Sequence, residues 1–250
     1  MQEFQDDFKK GIIAGRNPII EALKSGRGIE KIYICKGTEG SIKKIAAMAI
    51  EKGIPVHYEG KHVIDNIFAG NHQGAVAFVS DFNYCDVEEI IGLAKERGED
   101  PFVVILDGIE DPHNLGAIIR TAEAAGAHGV IISKRRAAGV TAAAAKASAG
   151  ASEYMLCAKV SNIAQAIDKL KGMGLWIAAC DAGGESYYGA DLKDGIGLVI
   201  GGEGTGIGRL VKEKCDFVLS IAMKGKINSL NASNAAEILM YEVRRQRDGK

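Results

Sequence analysis

Polar side chains crowd three stretches of this 250-residue chain, each where an apolar run gives way to glycine, proline or a helix start. The first is Leu106-Asp107-Gly108-Ile109-Glu110-Asp111-Pro112-His113-Asn114-Leu115-Gly116-Ala117-Ile118-Ile119-Arg120-Thr121-Ala122. It reads as a buried strand, an acidic turn and a helix opened by Asp111-Pro112, with Arg120 about two turns in from Asn114. A capped helix carrying an exposed arginine would look the same. The second, Val199-Ile200-Gly201-Gly202-Glu203-Gly204-Thr205-Gly206-Ile207-Gly208, lets backbone approach a ligand closely and leaves N–H groups free before the next helix. A tight turn has the same composition. The register is not G-x-G-x-x-G, the strand after it leads to Ile221-Ala222-Met223-Lys224 without the expected acid, and no Walker A sequence occurs. The third, Ile221-Ala222-Met223-Lys224-Gly225-Lys226-Ile227-Asn228-Ser229-Leu230-Asn231-Ala232-Ser233-Asn234, sets Ser229, Asn231, Ser233 and Asn234 at a helix start. A cap needs only one of them, and the surplus favours a binding site.

These stretches sit among alternating strands and helices. Strands are expected at Phe102–Leu106, Gly129–Ile132, Tyr154–Cys157, Leu175–Cys180, Gly197–Ile200 and Phe217–Ser220. Helices are expected at Asn114–Ala125, Thr141–Ser148, Asn162–Lys171, Ile207–Lys214 and Leu230–Arg247. Such alternation predicts a mostly parallel sheet covered on both faces, with ligands gathered at the carboxyl ends of its strands. The lone Trp176, between Leu175 and Ile177, reads as core. Residues 12–79 form a smaller α/β alternation: a helix from Asn17-Pro18, strands Ile29–Ile34, Pro55–Tyr58 and Ala75–Val79, and helices Ser41–Lys52 and Val63–Phe68, with Ser41 as a cap. Between the halves, Val87–Arg97 has helical spacing and Gly98 as a stop; it is either a linker helix or the first helix of the second part. The expected division is 1–80, a linker at 81–100, and 101–250.

Composition bounds the function without choosing it. With 31 Lys+Arg against 32 Asp+Glu, net charge −1, 47% hydrophobic and 25% charged residues, the chain is neither disordered nor polycationic. Any nucleic-acid site must therefore be a local patch. The runs Lys134-Arg135-Arg136 and Lys224/Lys226 are either solvated surface or phosphate contacts. Cys35, Cys85, Cys157, Cys180 and Cys215 form no C-x-x-C pair, and His57, His62, His72 and His128 give no metal spacing, so neither a metal site nor a disulfide framework is indicated, while His113, inside the first stretch, is either a loop residue or an RNA contact. The start, MQEFQDDFKKGII, has no apolar leader core, and no uncharged apolar run of about 18 residues occurs. A cytoplasmic protein is expected.

In order and spacing the three stretches resemble the motifs of the SpoU/TrmH family of RNA ribose 2′-O-methyltransferases, within the SPOUT class. The matches are Asp107, Asp111-Pro112, Asn114, Gly116 and Arg120-Thr121-Ala122; then Gly201, Glu203, Gly204 and Gly206; then Met223, Gly225 and Ser229-Leu230-Asn231. Ala222 stands where the family usually has proline. Ile13-Ala14-Gly15-Arg16-Asn17, Glu21-Ala22-Leu23 and His72-Gln73-Gly74 resemble the accessory domain of the longer members, itself similar to an RNA-binding ribosomal protein fold.

The resemblance implies a small N-terminal α/β RNA-binding domain and a C-terminal SPOUT α/β domain with a deep trefoil knot. It implies S-adenosylmethionine as methyl donor, contacted at Gly201, Ile221 and Leu230 with Gly202 and Met223 nearby, where a side chain would occupy ligand space. It implies Arg120 as the decisive residue, oriented with the ribose by Asn114, Glu203, Ser229 and Asn231. A guanidinium is a poor base, so Arg120 is read as binding RNA phosphate and stabilising the developing oxyanion. A homodimer acting on a guanosine of 23S rRNA is the resulting expectation, with tRNA methylation, antibiotic-resistance rRNA methylation and a non-catalytic assembly role as alternatives.

Overall fold

The computed structural model describes residues 11–25, 28–37, 40–79 and 82–249. The first ten residues, part of the stretch searched for a leader, lie outside these, as do Ser80 and Asp81, where the linker was expected to begin. The chain divides into two compact units, Met1–Asn83 and Tyr84–Lys250.

The first unit has a four-stranded sheet in the order β1 (Ile12–Ala14), β4 (Ala75–Val79), β2 (Ile29–Cys35), β3 (Val56–Glu59). Only β2 and β3 are parallel; β1 and β2 both run antiparallel to β4. Helices α1 (Arg16–Ser25) and α2 (Ser41–Glu51) bury Ile19, Leu23, Ile42 and Ile45 against Ile32, Ile34, Ala75 and Ala77. The cap of α2 is Gly40 rather than Ser41, which is the first helical residue and makes no capping hydrogen bond. Short α3 (Lys61–Ile67) buries Ile64. Two of the three accessory-domain stretches meet in this unit: Arg16 Nε donates to Gln73 O at 2.9 Å, and Arg16 N to Gln73 Oε1 at 3.3 Å. Gln73 holds a φ of 51°, and the following N–H of Gly74 donates to His72 Nδ1 at 3.0 Å. The proton of His72 therefore sits on Nε2, 2.8 Å from Asp65 Oδ1.

The second unit carries six parallel strands in the order β10-β8-β9-β5-β6-β7. Their ranges are β5 Phe102–Asp107, β6 Gly129–Ser133, β7 Leu156–Val160, β8 Trp176–Ser186, β9 Ile196–Gly201 and β10 Phe217–Ser220. The near-continuous apolar strands follow from burial on both faces. Val103, Ile105, Ile131, Ile177 and Val199 face α4 (Val87–Arg97), α7 (Ile163–Gly172) and α8 (Arg209–Lys214). The alternate residues Val104, Leu106 and Leu198 are buried too, on the side of α5 (Pro112–Ala124), α6 (Ala142–Ala147) and α9 (Ala232–Arg247). Of the two alternatives for Val87–Arg97, the packing is that of a first helix of this unit: Val87, Ile90, Ile91 and Ala94 are buried. It starts with a capping box between Asp86 and Glu89 and stops at Gly98, whose φ is 65°.

Trp176 corrects the expectation of a core residue, being 56% exposed. It is the first residue of β8, at the end of a strand whose next three residues, Ile177, Ala178 and Ala179, are buried on both faces, so it lies beyond the covered part of the sheet. That strand also runs on to Ser186, six residues beyond the expected Cys180. The register with β10 jumps from Val218↔Ala179 to Leu219↔Glu185, so the extra chain is accommodated as a large bulge. Among the described residues no helix is long and apolar enough to cross a membrane.

Candidate functional site

Adjacent strands β5 and β9 end side by side, with Asp107 paired to Gly201, and the first two polar stretches leave the sheet there. Asp107 ties them together. Its carbonyl accepts from Gly202 N at 2.9 Å, and its Oδ2 accepts from Gly208 N at 2.8 Å. Between these points the second stretch closes on itself through Gly206 N donating to Gly202 O at 3.0 Å. A Cβ on Gly202 would collide with the backbone of Gly108, and one on Gly201 with the backbone of Gly206 and Ile207. This corrects the reason for glycine at the two positions. The space a side chain would need is filled by the protein's own loops rather than kept for a ligand.

The third stretch starts from β10, at the sheet edge, and must return past the ends of β8 and β9 to begin α9. Asn231 is the cap of that helix: its Oδ1 accepts from Ser233 N at 2.9 Å and from Ser233 Oγ at 2.7 Å. With the oxygen so engaged, the amide nitrogen faces the other way. Asn231 Nδ2 donates to Glu203 Oε1 at 2.6 Å and to Asn114 Oδ1 at 3.1 Å. Asn114 Nδ2 completes the ring by donating to Glu203 Oε1 at 2.9 Å. Three loops separated by up to 117 residues are thereby locked into one polar network. Glu203 Oε1 is saturated, while Oε2 has no hydrogen-bond partner among the described residues and the side chain is exposed.

Two of the expected site residues stay outside the network. Ser229 is exposed and makes no hydrogen bond with any described residue. Arg120, also exposed and without a partner among the described residues, lies six residues beyond Asn114, which rotates it roughly 120° round the helix and about 9 Å along it. It shares instead the face of Gly116, one turn earlier, where α5 packs on α6. Ile221 is half-buried, and Met223 and Leu230 are each 37% exposed. Residues 221–230 make no hydrogen bond, backbone or side chain, with any described residue. Ten consecutive residues with unpaired backbone donors and acceptors beside a fixed carboxylate are suited to a ligand held by main-chain groups. Sequence reasoning counted Ser233 only among possible caps; its position two residues after Asn231 is the signal of its second bond, to the Asn231 oxygen. Thr121, matched in the first stretch but given no role, donates to Glu237 Oε1 at 3.0 Å and joins α5 to α9.

Cys85, Cys157, Cys180 and Cys215 are poor nucleophiles, since burial pushes Cys85 and Cys215 up to about 11, Cys157 to about 12 and Cys180 up as well. Among the described residues no group of three or more His, Cys, Asp or Glu could hold a metal ion. The site is thus one of amides, one carboxylate and free backbone at the carboxyl ends of a parallel sheet.

An α/β protein with such a site belongs to the class that holds a small ligand above its strand ends. Its family follows from comparison: the SpoU rRNA Methylase profile matches residues 101–241, and the RNA 2′-O ribose methyltransferase substrate-binding profile matches residues 12–85. A protein of Bacillus subtilis (strain 168), provisionally named a TrmH family tRNA/rRNA methyltransferase, is 45% identical over 238 residues, covering 94% of this chain and 96% of the relative. The chain belongs to the SpoU rRNA methylase family and is an RNA methyltransferase of the TrmH/SpoU type. The AdoMet-bound rRNA methyltransferase of Sinorhizobium meliloti superposes with a TM-score of 0.59 at 25% identity, over 98% of this chain and 91% of that one. The AdoMet complex of the SpoU methyltransferase AviRb from Streptomyces viridochromogenes shares the fold, with a TM-score of 0.62 at 24% identity over 96% and 91% of the chains.

Proposed function

We propose that the chain transfers a methyl group from S-adenosylmethionine to the ribose 2′-OH of a guanosine in 23S rRNA, as a cytoplasmic homodimer. The observation that carries the transfer is the Asn114–Glu203–Asn231 network set beside the hydrogen-bond-free segment 221–230. Support for the donor comes from the AdoMet held by the Sinorhizobium meliloti enzyme. The ribosomal guanosine rests on the resemblance of the whole two-domain chain, and the substrate-binding profile at residues 12–85 supports an RNA partner. We infer the trefoil knot where segment 221–231 returns past the strand ends.

Gly201, Gly202, Ile221, Met223 and Leu230 would hold the cofactor, mainly through main-chain groups. When bound, it supplies an electrophilic methyl on a sulfonium, which needs no metal. The chain's task is then to place the hydroxyl about 3 Å from that methyl and to manage its proton. Asn114 and Asn231 fix one oxygen of Glu203, which leaves Oε2 to accept a hydrogen bond from the ribose hydroxyl. Arg120 binds the adjoining phosphate and stabilises the developing oxyanion as the hydroxyl proton passes to Glu203 Oε2, with Ser229 helping to orient the sugar. Because Arg120 turns away from its own network, in a homodimer it serves the partner's site.

The test is transfer of labelled methyl from S-adenosylmethionine to ribosomal RNA and separately to tRNA, with ribose mapping. Label on one ribosomal guanosine is expected. Label on tRNA instead would keep the chemistry and overturn the substrate. Arg120→Lys keeps the charge and loses the planar fork, so its activity should fall on the order of a hundredfold, and full activity would sink the role given to Arg120.

A further inference from the structure

The turn after β6 is built more firmly than a solvated basic run requires. Strands β5 and β6 pair Leu106 with Ile132, so Asp107 and Ser133 leave the sheet side by side and the turn starts next to the candidate site. Ser133 Oγ bonds both the N–H and the C=O of Arg135, which pins the bend at its first residue. Arg136 holds a φ of 50°, a conformation costly for a side chain with a Cβ. At the far end Ala138 N donates to Ile109 O at 2.7 Å, tying the turn to the loop that leads into Asn114.

The guanidinium groups that this turn presents have no partner among the described residues. Most other described arginines are engaged: Arg209 with Glu213, Arg244 with Asp248, Arg245 with Glu242, and Arg247 with the carbonyls of Asp100, Pro101 and Asp194; Arg120, already given a role, is open among the described residues as well. The side chains of Arg135 and Arg136 are exposed and make no hydrogen bond or ion pair with any described residue. Arg97, equally unpartnered, precedes β5 at the opposite end of the sheet. The turn thus combines a strained, tethered backbone with two open cation forks beside the reacting centre.

We propose that Arg135 and Arg136 grip backbone phosphates of the RNA strand next to the ribose being methylated. The proposal rests on the function assigned above. A guanidinium fork matches phosphate oxygens, and contacts of this kind fix register on the strand without reading its sequence. The fixed turn keeps both forks in place before RNA arrives, which reduces the ordering cost on binding.

The test compares the parent chain with Arg135→Ala/Arg136→Ala in RNA binding across a salt series, methyl transfer, S-adenosylmethionine binding and thermal unfolding. The double variant should raise KM for RNA on the order of tenfold at 0.15 M salt and lower the slope of log K against log salt by about 1.4, roughly 0.7 per phosphate on a single strand. Cofactor binding and the unfolding midpoint should stay as in the parent. Arg135→Lys/Arg136→Lys should recover most of the slope. An unchanged slope and KM in the alanine variant, with the parent active, would overturn the proposal. A parent that neither binds S-adenosylmethionine nor methylates RNA would overturn the function beneath it.

Discussion

The carboxamide of Asn231 works at both ends, and its two ends do different jobs. Its oxygen caps α9 through Ser233, and its nitrogen joins Glu203 to Asn114. Asn231→Asp separates the two. Aspartate caps a helix as well as asparagine, so α9 should form normally. The second oxygen, however, would face Glu203 Oε1 where a donor now sits at 2.6 Å, and two carboxylates cannot share that spacing without repulsion. Methyl transfer should fall by about a hundredfold, and unfolding in urea should show a loss of about 1 kcal/mol from the broken, partly exposed bonds. Parent-like activity in this variant would mean that the network is only a cap. The sequence placed Asn114, Glu203 and Asn231 in separate loops on a family pattern, and no local signal told which oxygen would meet which nitrogen. Nor did it show that Arg120 points elsewhere: that depends on where the face of α5 carrying Gly116 finds its neighbour.

At the scale of elements, the approach of α5 to α6 sets the direction of Asn114 and Arg120 alike. Gly116 makes that approach possible, because a Cβ there would run into Ala144 O, Ala147 Cβ and Ser148 N. Replacing it by alanine sets two effects against each other. Helix propensity favours alanine by about 1 kcal/mol, whereas overpacking a tight helix contact costs about 1–3 kcal/mol. Two of the three atoms met are backbone and cannot step aside, so Gly116→Ala should be the less stable protein in a denaturant titration, with transfer activity lowered more than stability. A stabilised, fully active variant would show that the helices slide apart freely. Gly206→Ala is the control, since its φ of 63° disfavours alanine but nothing lies within 4 Å of the added carbon. Most elements were legible in the sequence because local chemistry marks them: Asp111-Pro112 opens α5, Gly98 closes α4, and the apolar runs of β5, β6 and β9 are buried on both faces. β1 and the far half of β8 were not, because a three-residue edge strand and a bulged extension are defined by their partners, β4 and β10, rather than by periodicity of their own.

Among the described residues the first unit packs an apolar core between its helices and sheet, and the second buries apolar residues on both faces of its sheet. The lower end of the second unit holds a pH-sensitive group. His128 is 1% exposed, its Nδ1 accepts from Phe102 N at 3.0 Å, and its Nε2 lies 3.0 Å from Glu99 Oε2. The proton therefore sits on Nε2, and a second proton would have to displace the Phe102 N–H. Burial holds the imidazole below its ordinary value of 6.5, and the Glu99 carboxylate opposes this only in part. As pH falls through that value the unfolded chain takes up a proton before the folded one does. The stability His128 contributes is therefore complete above about 6.5 and is lost progressively below it. His128→Gln removes the titration together with the Nδ1 acceptor, so it should be less stable than the parent at pH 7.5 by about 1–3 kcal/mol. Between pH 7 and 5 the gap between the two proteins in chemical denaturation should narrow, since only the parent is losing the histidine's contribution. A gap of constant size across that range would mean that the folded and unfolded states bind the His128 proton equally, and that the buried imidazole is not what ties the stability of this unit to acid.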